Sequence, residues 1–82
     1  MASYEDDIRR FVDAMRYKLE KNRFKGRWED LDLGDALNLL QKEVYELTVA
    51  IDKGNMIEIL LEAADIANFA MIVSAIAIER GK

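Results

Sequence analysis

The sequence predicts an all-α protein, a three-helix chain whose second and third helices form an antiparallel hairpin. Three observations carry this. Proline is absent and only four glycines occur in 82 residues, so almost nothing in the chain breaks a helix. Apolar residues recur at steps of three and four along most of the length. The two interruptions fall at polar, glycine-containing segments, where helices stop.

The first helix is expected from about Tyr4 to Phe24. Tyr4, Ile8, Phe11, Met15 and Leu19 step by four, three, four and four, which puts them on one face. Ser3 with Asp6 has the spacing of a capping box. A loop from Lys25 to about Asp32 contains Gly26. Asp32 or Asp30 is placed to cap the second helix, expected from about Leu33 to Asp52. Leu33, Leu37, Leu40, Val44, Leu47 and Ile51 form its apolar stripe. Lys53-Gly54 is a stop signal, because glycine adopts the left-handed cap conformation cheaply. Asn55, with Glu58 three residues on, starts the third helix, expected from about Met56 to Glu79.

From Ala63 to Ile78 only Asp65, Asn68 and Ser74 are not apolar. A helix apolar all round is buried all round, and two other helices of so short a chain cannot surround it. The reading is one domain over 1–82, completed into a four-helix-type bundle by oligomerisation, as a homodimer or homotetramer. A domain of this size is marginal alone. With no cysteine or histidine in the chain, disulfides, thiolate and imidazole metal sites, and histidine-based catalysis are excluded.

Twelve basic residues against sixteen acidic ones give a net charge of −4, which argues against a nucleic-acid partner. The N-terminus lacks a signal-peptide pattern. The Ala63–Ile78 run is shorter than the about 20 residues a membrane span needs, and it carries an aspartate. The expectation is a cytoplasmic protein without a membrane partner.

Four acid pairs are spaced three apart: Glu29/Asp32, Asp32/Asp35, Glu43/Glu46 and Glu62/Asp65. The first two lie at a helix start, where acids suit the helix dipole. Glu43 and Glu46 instead interrupt an otherwise apolar flank of Ala36, Leu39 and Ala50. Glu62 and Asp65 are embedded among Leu60, Leu61, Ala63, Ala64 and Ile66. Buried carboxylates are costly unless paired with cations or bound to a metal. No lysine or arginine lies between Gly54 and Glu79. Glu46 stands eight residues before Gly54 and Glu62 eight after it. An antiparallel hairpin therefore brings the two pairs to one height, as a cluster of four carboxylates. An all-oxygen donor set selects a hard cation, Mg²⁺ or Mn²⁺. The competing reading satisfies the acids with arginines from the first helix or another subunit.

Arg16, Lys18, Lys21, Arg23, Lys25 and Arg27 face only Glu20 in their stretch, whereas ten acids between Trp28 and Asp65 face only Lys42 and Lys53. A basic strip beside a carboxylate–metal cluster suits a polyphosphate ligand. It equally describes a solvated, charged helix. Trp28 could stack on a base or plug the top of the core.

Glu43-x-x-Glu46 followed by Glu62-x-x-Asp65 resembles the signature of the all-α, MazG-like nucleoside triphosphate pyrophosphohydrolases. "NRFKGRW" (Asn22 to Trp28), "EVYEL", "AIDKGN" and "EAADIANFAMIV" are similar to the short members found in phages and mobile elements. The resemblance covers about Leu19 to Ile78. It implies Mg²⁺-dependent cleavage of a (deoxy)nucleoside triphosphate to the monophosphate and pyrophosphate. Glu43, Glu46, Glu62 and Asp65 would be the metal ligands, with Glu43 or Glu46 also taking the proton from water. Asn22, Lys25, Trp28 and Asn68 would contact the nucleotide. Two departures stand out. Lys42 replaces the acid that many relatives carry before the first glutamate, which leaves the general base open. The fourth helix of larger relatives has no counterpart, so another subunit would complete the bundle. The alternative function is a non-catalytic helical oligomer, an interaction or antitoxin-like module.

Overall fold

A computed structural model describes residues 3–22 and 30–80. It contains three helices, α1 (Tyr4–Asn22), α2 (Leu33–Lys53) and α3 (Met56–Arg80). Each described start is capped by the expected residue. Ser3 Oγ accepts from the Glu5 N–H at 3.1 Å. Asp32 is the N-cap of α2 and accepts from the Asp35 N–H at 2.8 Å. Asn55 Oδ1 accepts from the Glu58 N–H at 3.0 Å. Each such cap is worth roughly 1 kcal/mol against alanine. Gly54 ends α2 with φ 70°, and its N–H reaches back to the Ala50 and Ile51 carbonyls. A side chain there would be strained, which is why glycine marks this turn.

The two-residue turn folds α3 back against α2, the most extensive packing among the described helices, and α1 packs on α3. α3 is therefore the central element. The contacts are made by small residues: Ala36 and Ala64 are wholly buried, and Ala14 and Ala50 nearly so. Ile72 and Ile76 complete the core with Ala36, backed by Leu31, Phe69 and Val73. At the far end, Arg80 donates to the Leu31 carbonyl at 2.8 Å and ties the last turn of α3 to the segment before α2.

The side of α2 turned inward takes in only part of the expected core stripe: Leu40 and Leu47 are half-buried. Ala36 and Ala50 are buried and Glu43 and Glu46 half-buried, whereas Leu33, Leu37, Val44 and Ile51 are 43–56% exposed. The apolar arc of α2 is wider than one neighbour can cover. α3 takes the alanine side because small residues allow the backbones to approach closely. In α1, Tyr4 and Ile8 from the periodic stripe also remain exposed, while Phe11, Met15 and Lys18 are half-buried. α3 is long and apolar enough to cross a membrane by length and composition. Its full extent exceeds the Ala63–Ile78 run on which the sequence reading rested. It nonetheless buries Asp65 and Asn68 among its inward residues.

Candidate metal centre

The hairpin brings the two acid pairs together. Glu43 from α2 and Glu62 and Asp65 from α3 each present a carboxylate oxygen, all within 4.8 Å of one another. Glu46 flanks them and shares hydrogen bonds with both Glu43 and Glu62. The reason is helical arithmetic: a spacing of three puts both acids of a pair on one face, and equal distances from Gly54 set them at one height.

The cluster resists full ionisation. Burial, a hydrogen bond with Glu46, and the nearby Asp65, Glu46 and Glu62 charges push the Glu43 carboxyl up to about 8. Glu62 is also raised, first by burial and then by its bond to Glu46. Glu46 moves the other way. It is lowered mainly because it accepts from Glu43, against the effect of its own burial, with help from Glu62, Lys42 and Lys18. Glu43 and Glu46 thus hold one proton between them, with its weight on Glu43.

One cation already touches the cluster. Lys18 Nζ of α1 lies 3.2 Å from Asp65 Oδ2, with the two side chains only 12% and 10% exposed. Lys18 was legible in the sequence only as part of a basic strip. Its sharper signal is positional: it follows Phe11, Ala14 and Met15 at steps of three and four, so it interrupts an inward face as the glutamates do. Asn68, one turn beyond Asp65, is buried, and its side-chain amide donates to the Met15 carbonyl of α1 at 3.0 Å. Of the other expected substrate contacts, Asn22 is half-buried at the end of α1. Lys25 and Trp28 lie outside the described residues.

The donor set fits a hard divalent ion. Oε2 of Glu43 and Oε2 of Glu62 are shut off from solvent with no hydrogen-bond partner. Such orphaned oxygens are costly unless something positive meets them. Three carboxylate oxygens within 4.8 Å can converge on one ion with little movement, since oxygens on opposite sides of Mg²⁺ stand about 4.2 Å apart, twice the metal–oxygen distance. Beside the cluster opens a cavity of about 410 Å³, lined by Lys18, Lys21, Lys53, Glu46, Glu58 and Glu62 among others. Its wall carries both signs of charge, three lysines and three glutamates.

Comparison of the chain with protein-family models, curated proteins and solved structures finds no match.

Proposed function

We propose that the chain is a divalent-cation-dependent nucleotide pyrophosphohydrolase. The observation that carries this reading is the convergence of Glu43, Glu62 and Asp65, with Glu46 bonded beside them, next to a cavity whose lining includes three lysines, with two carboxylate oxygens left without partners. Glu43, Glu62 and Asp65 would hold the ion, with Glu46 beside them. Mg²⁺ or Mn²⁺ held there would supply neutralisation of phosphate charge and a lowered pKa for water. The residues do the rest. Lys18, Lys21 and Lys53 hold the phosphate oxygens as point charges. Glu46, which stays ionised because its neighbours donate to it, takes the proton as water attacks the α-phosphorus. The bond from that phosphorus to its bridging oxygen breaks, and pyrophosphate leaves. Asn22, Lys25, Trp28 and Asn68 are the proposed nucleotide contacts.

The test is pyrophosphate release from a panel of ribo- and deoxyribonucleoside triphosphates, with and without Mg²⁺. The expected products are monophosphate and pyrophosphate, separated by anion-exchange chromatography. Orthophosphate as the first product would refute the assignment. One observation favours the alternative of a non-catalytic helical module: the Lys18–Asp65 bridge satisfies one of the four acids without any metal. Absence of turnover, together with a melting temperature indifferent to Mg²⁺, would select it.

We also read the protein as a cytoplasmic homo-oligomer that binds neither nucleic acid nor membrane. Among the described residues, no large side chain is fully buried, while Leu37, Val44, Tyr45, Ile51 and Ile57 are exposed. The surface of 6340 Å² exceeds the about 5000 Å² expected of a 9.4 kDa monomer. Covering that excess on two copies buries roughly 2700 Å² in total, within the obligate-homodimer range. The exposed leucine edge of α2 is the surface we assign to the partner copy, which completes the bundle. The apolar character of α3 then serves an inner helix of that bundle. Light scattering is expected to give a dimer or tetramer at micromolar concentration. A folded monomer there overturns this assignment.

A further inference from the structure

The Lys18–Asp65 bridge is unlike the other ion pairs described. Arg9–Asp6 and Arg10–Asp7 are exposed pairs within one helix, of the kind that contributes little. Lys18 instead crosses from α1 to α3 and is nearly buried with its partner. That partner, Asp65, is also one of the three residues whose oxygens converge. The same lysine lines the open cavity, beside Glu46 and Glu62. Lys18 therefore stands between the acid cluster and the cavity, touching both.

We propose that Lys18 is an exchangeable internal counter-ion: it holds Asp65 until a divalent cation arrives, then turns into the cavity to meet an anionic ligand. The inference rests on the divalent-cation reading above. An ammonium and a divalent ion on one carboxylate repel each other, which favours exchange of the two cations at Asp65 over sharing. Lysine suits the exchange. Its charge is a compact point on a flexible four-carbon stem, with no planar fork to lock it in place. The ammonium can leave Asp65 by rotating its own side chain, while the α1 backbone stays docked through the Asn68 bond to Met15. In the cavity it joins Lys21 and Lys53. The wall also carries Glu46, Glu58 and Glu62, so a Lys18 charge freed from Asp65 is what tips it towards phosphate oxygens, and only after the cation binds. The device orders binding, cation first and anion second, and gives Asp65 a counter-charge while the cluster is empty.

The deciding experiment is NMR of the lysine side-chain amines in the wild-type protein, with the Lys18 signal assigned by its loss in Lys18→Arg. Without divalent ions, the buried, ion-paired Lys18 amine exchanges slowly and gives a visible signal. Saturation with Mg²⁺ is expected to remove or strongly shift it. Persistence of an unshifted signal at saturation overturns the proposal and makes Lys18 a fixed clamp, with the cation reading intact. Binding of Mn²⁺ alone, followed by its electron paramagnetic resonance, gives a second measure. Lys18→Met is expected to bind Mn²⁺ at least tenfold more tightly than wild type, because the competing charge is gone. Equal or weaker affinity in a folded Lys18→Met protein overturns the exchange. Failure of wild type and every variant to bind Mn²⁺ or Mg²⁺ removes the cation reading itself, and this proposal with it.

Discussion

Glu62→Gln is expected to abolish pyrophosphate release while leaving the cation-free protein as stable as wild type, or more so. The activity loss follows from the removal of a ligand oxygen. The stability effect follows from the surroundings. Glu62 has an orphaned, solvent-excluded oxygen, and burial raises its pKa beside Glu46 and Asp65. A neutral amide of the same shape removes a group whose ionisation burial and the neighbouring acids oppose. Asp65→Asn is expected to do the opposite. Asp65 is the partner of Lys18, and taking away one half of a buried pair leaves the other stranded, at a cost of about 3–5 kcal/mol. At roughly 4–8 °C per kcal/mol for a domain of this size, the melting temperature falls by about 12 °C or more. Melting curves of wild type, Glu62→Gln and Asp65→Asn without divalent ions test the contrast. If Glu62→Gln melts far below wild type, and wild type ignores Mg²⁺, the four acids are scaffolding.

Raising the pH from 5.5 to 8.5 without divalent ions is expected to destabilise the protein. The folded Glu43 carboxyl titrates at about 8, against an ordinary value of 4.5. Between those values the folded state binds more protons than the unfolded state, so stability falls as pH rises. Glu62, also raised, adds to the same trend. Glu46 is shifted down, so its contribution is lost only as pH falls below 4.5 and stays outside the window. A full proton corresponds to 1.36 kcal/mol per pH unit. Partial exposure of these side chains reduces the loss across the window to about 1–2 kcal/mol. Saturating Mg²⁺ should reverse the trend, because the cation binds deprotonated carboxylates and displaces the proton. At 100 times its dissociation constant it adds about 2.7 kcal/mol. Urea midpoints at pH 5.5 and 8.5, with and without Mg²⁺, measure both effects. Cation-free stability that is flat or rising across this window would show that Glu43 carries no displaced proton.

Much of this was legible in the chain itself. The helices, their caps and the hairpin follow from local rules. Asp32, Asn55 and Gly54 act on backbone groups within a few residues, so no distant partner is needed to place them. The meeting of the acid pairs is also close to local, since spacing within each helix and equal counts from Gly54 determine it once the turn closes. Two matters were decided only by the tertiary structure. The first is which part of the α2 apolar arc faces inward. Leu33, Leu37, Val44 and Ile51 have the stronger periodicity. Ala36 and Ala50 nevertheless take the contact with α3, because close helix approach selects small side chains over large ones. The second is the counter-charge of Asp65. Lys18 stands 47 positions earlier in the chain, and a pairing across that distance depends on how α1 docks on α3. Periodicity places Lys18 on the inward side of α1, but only the docking of two helices determines which acid it meets.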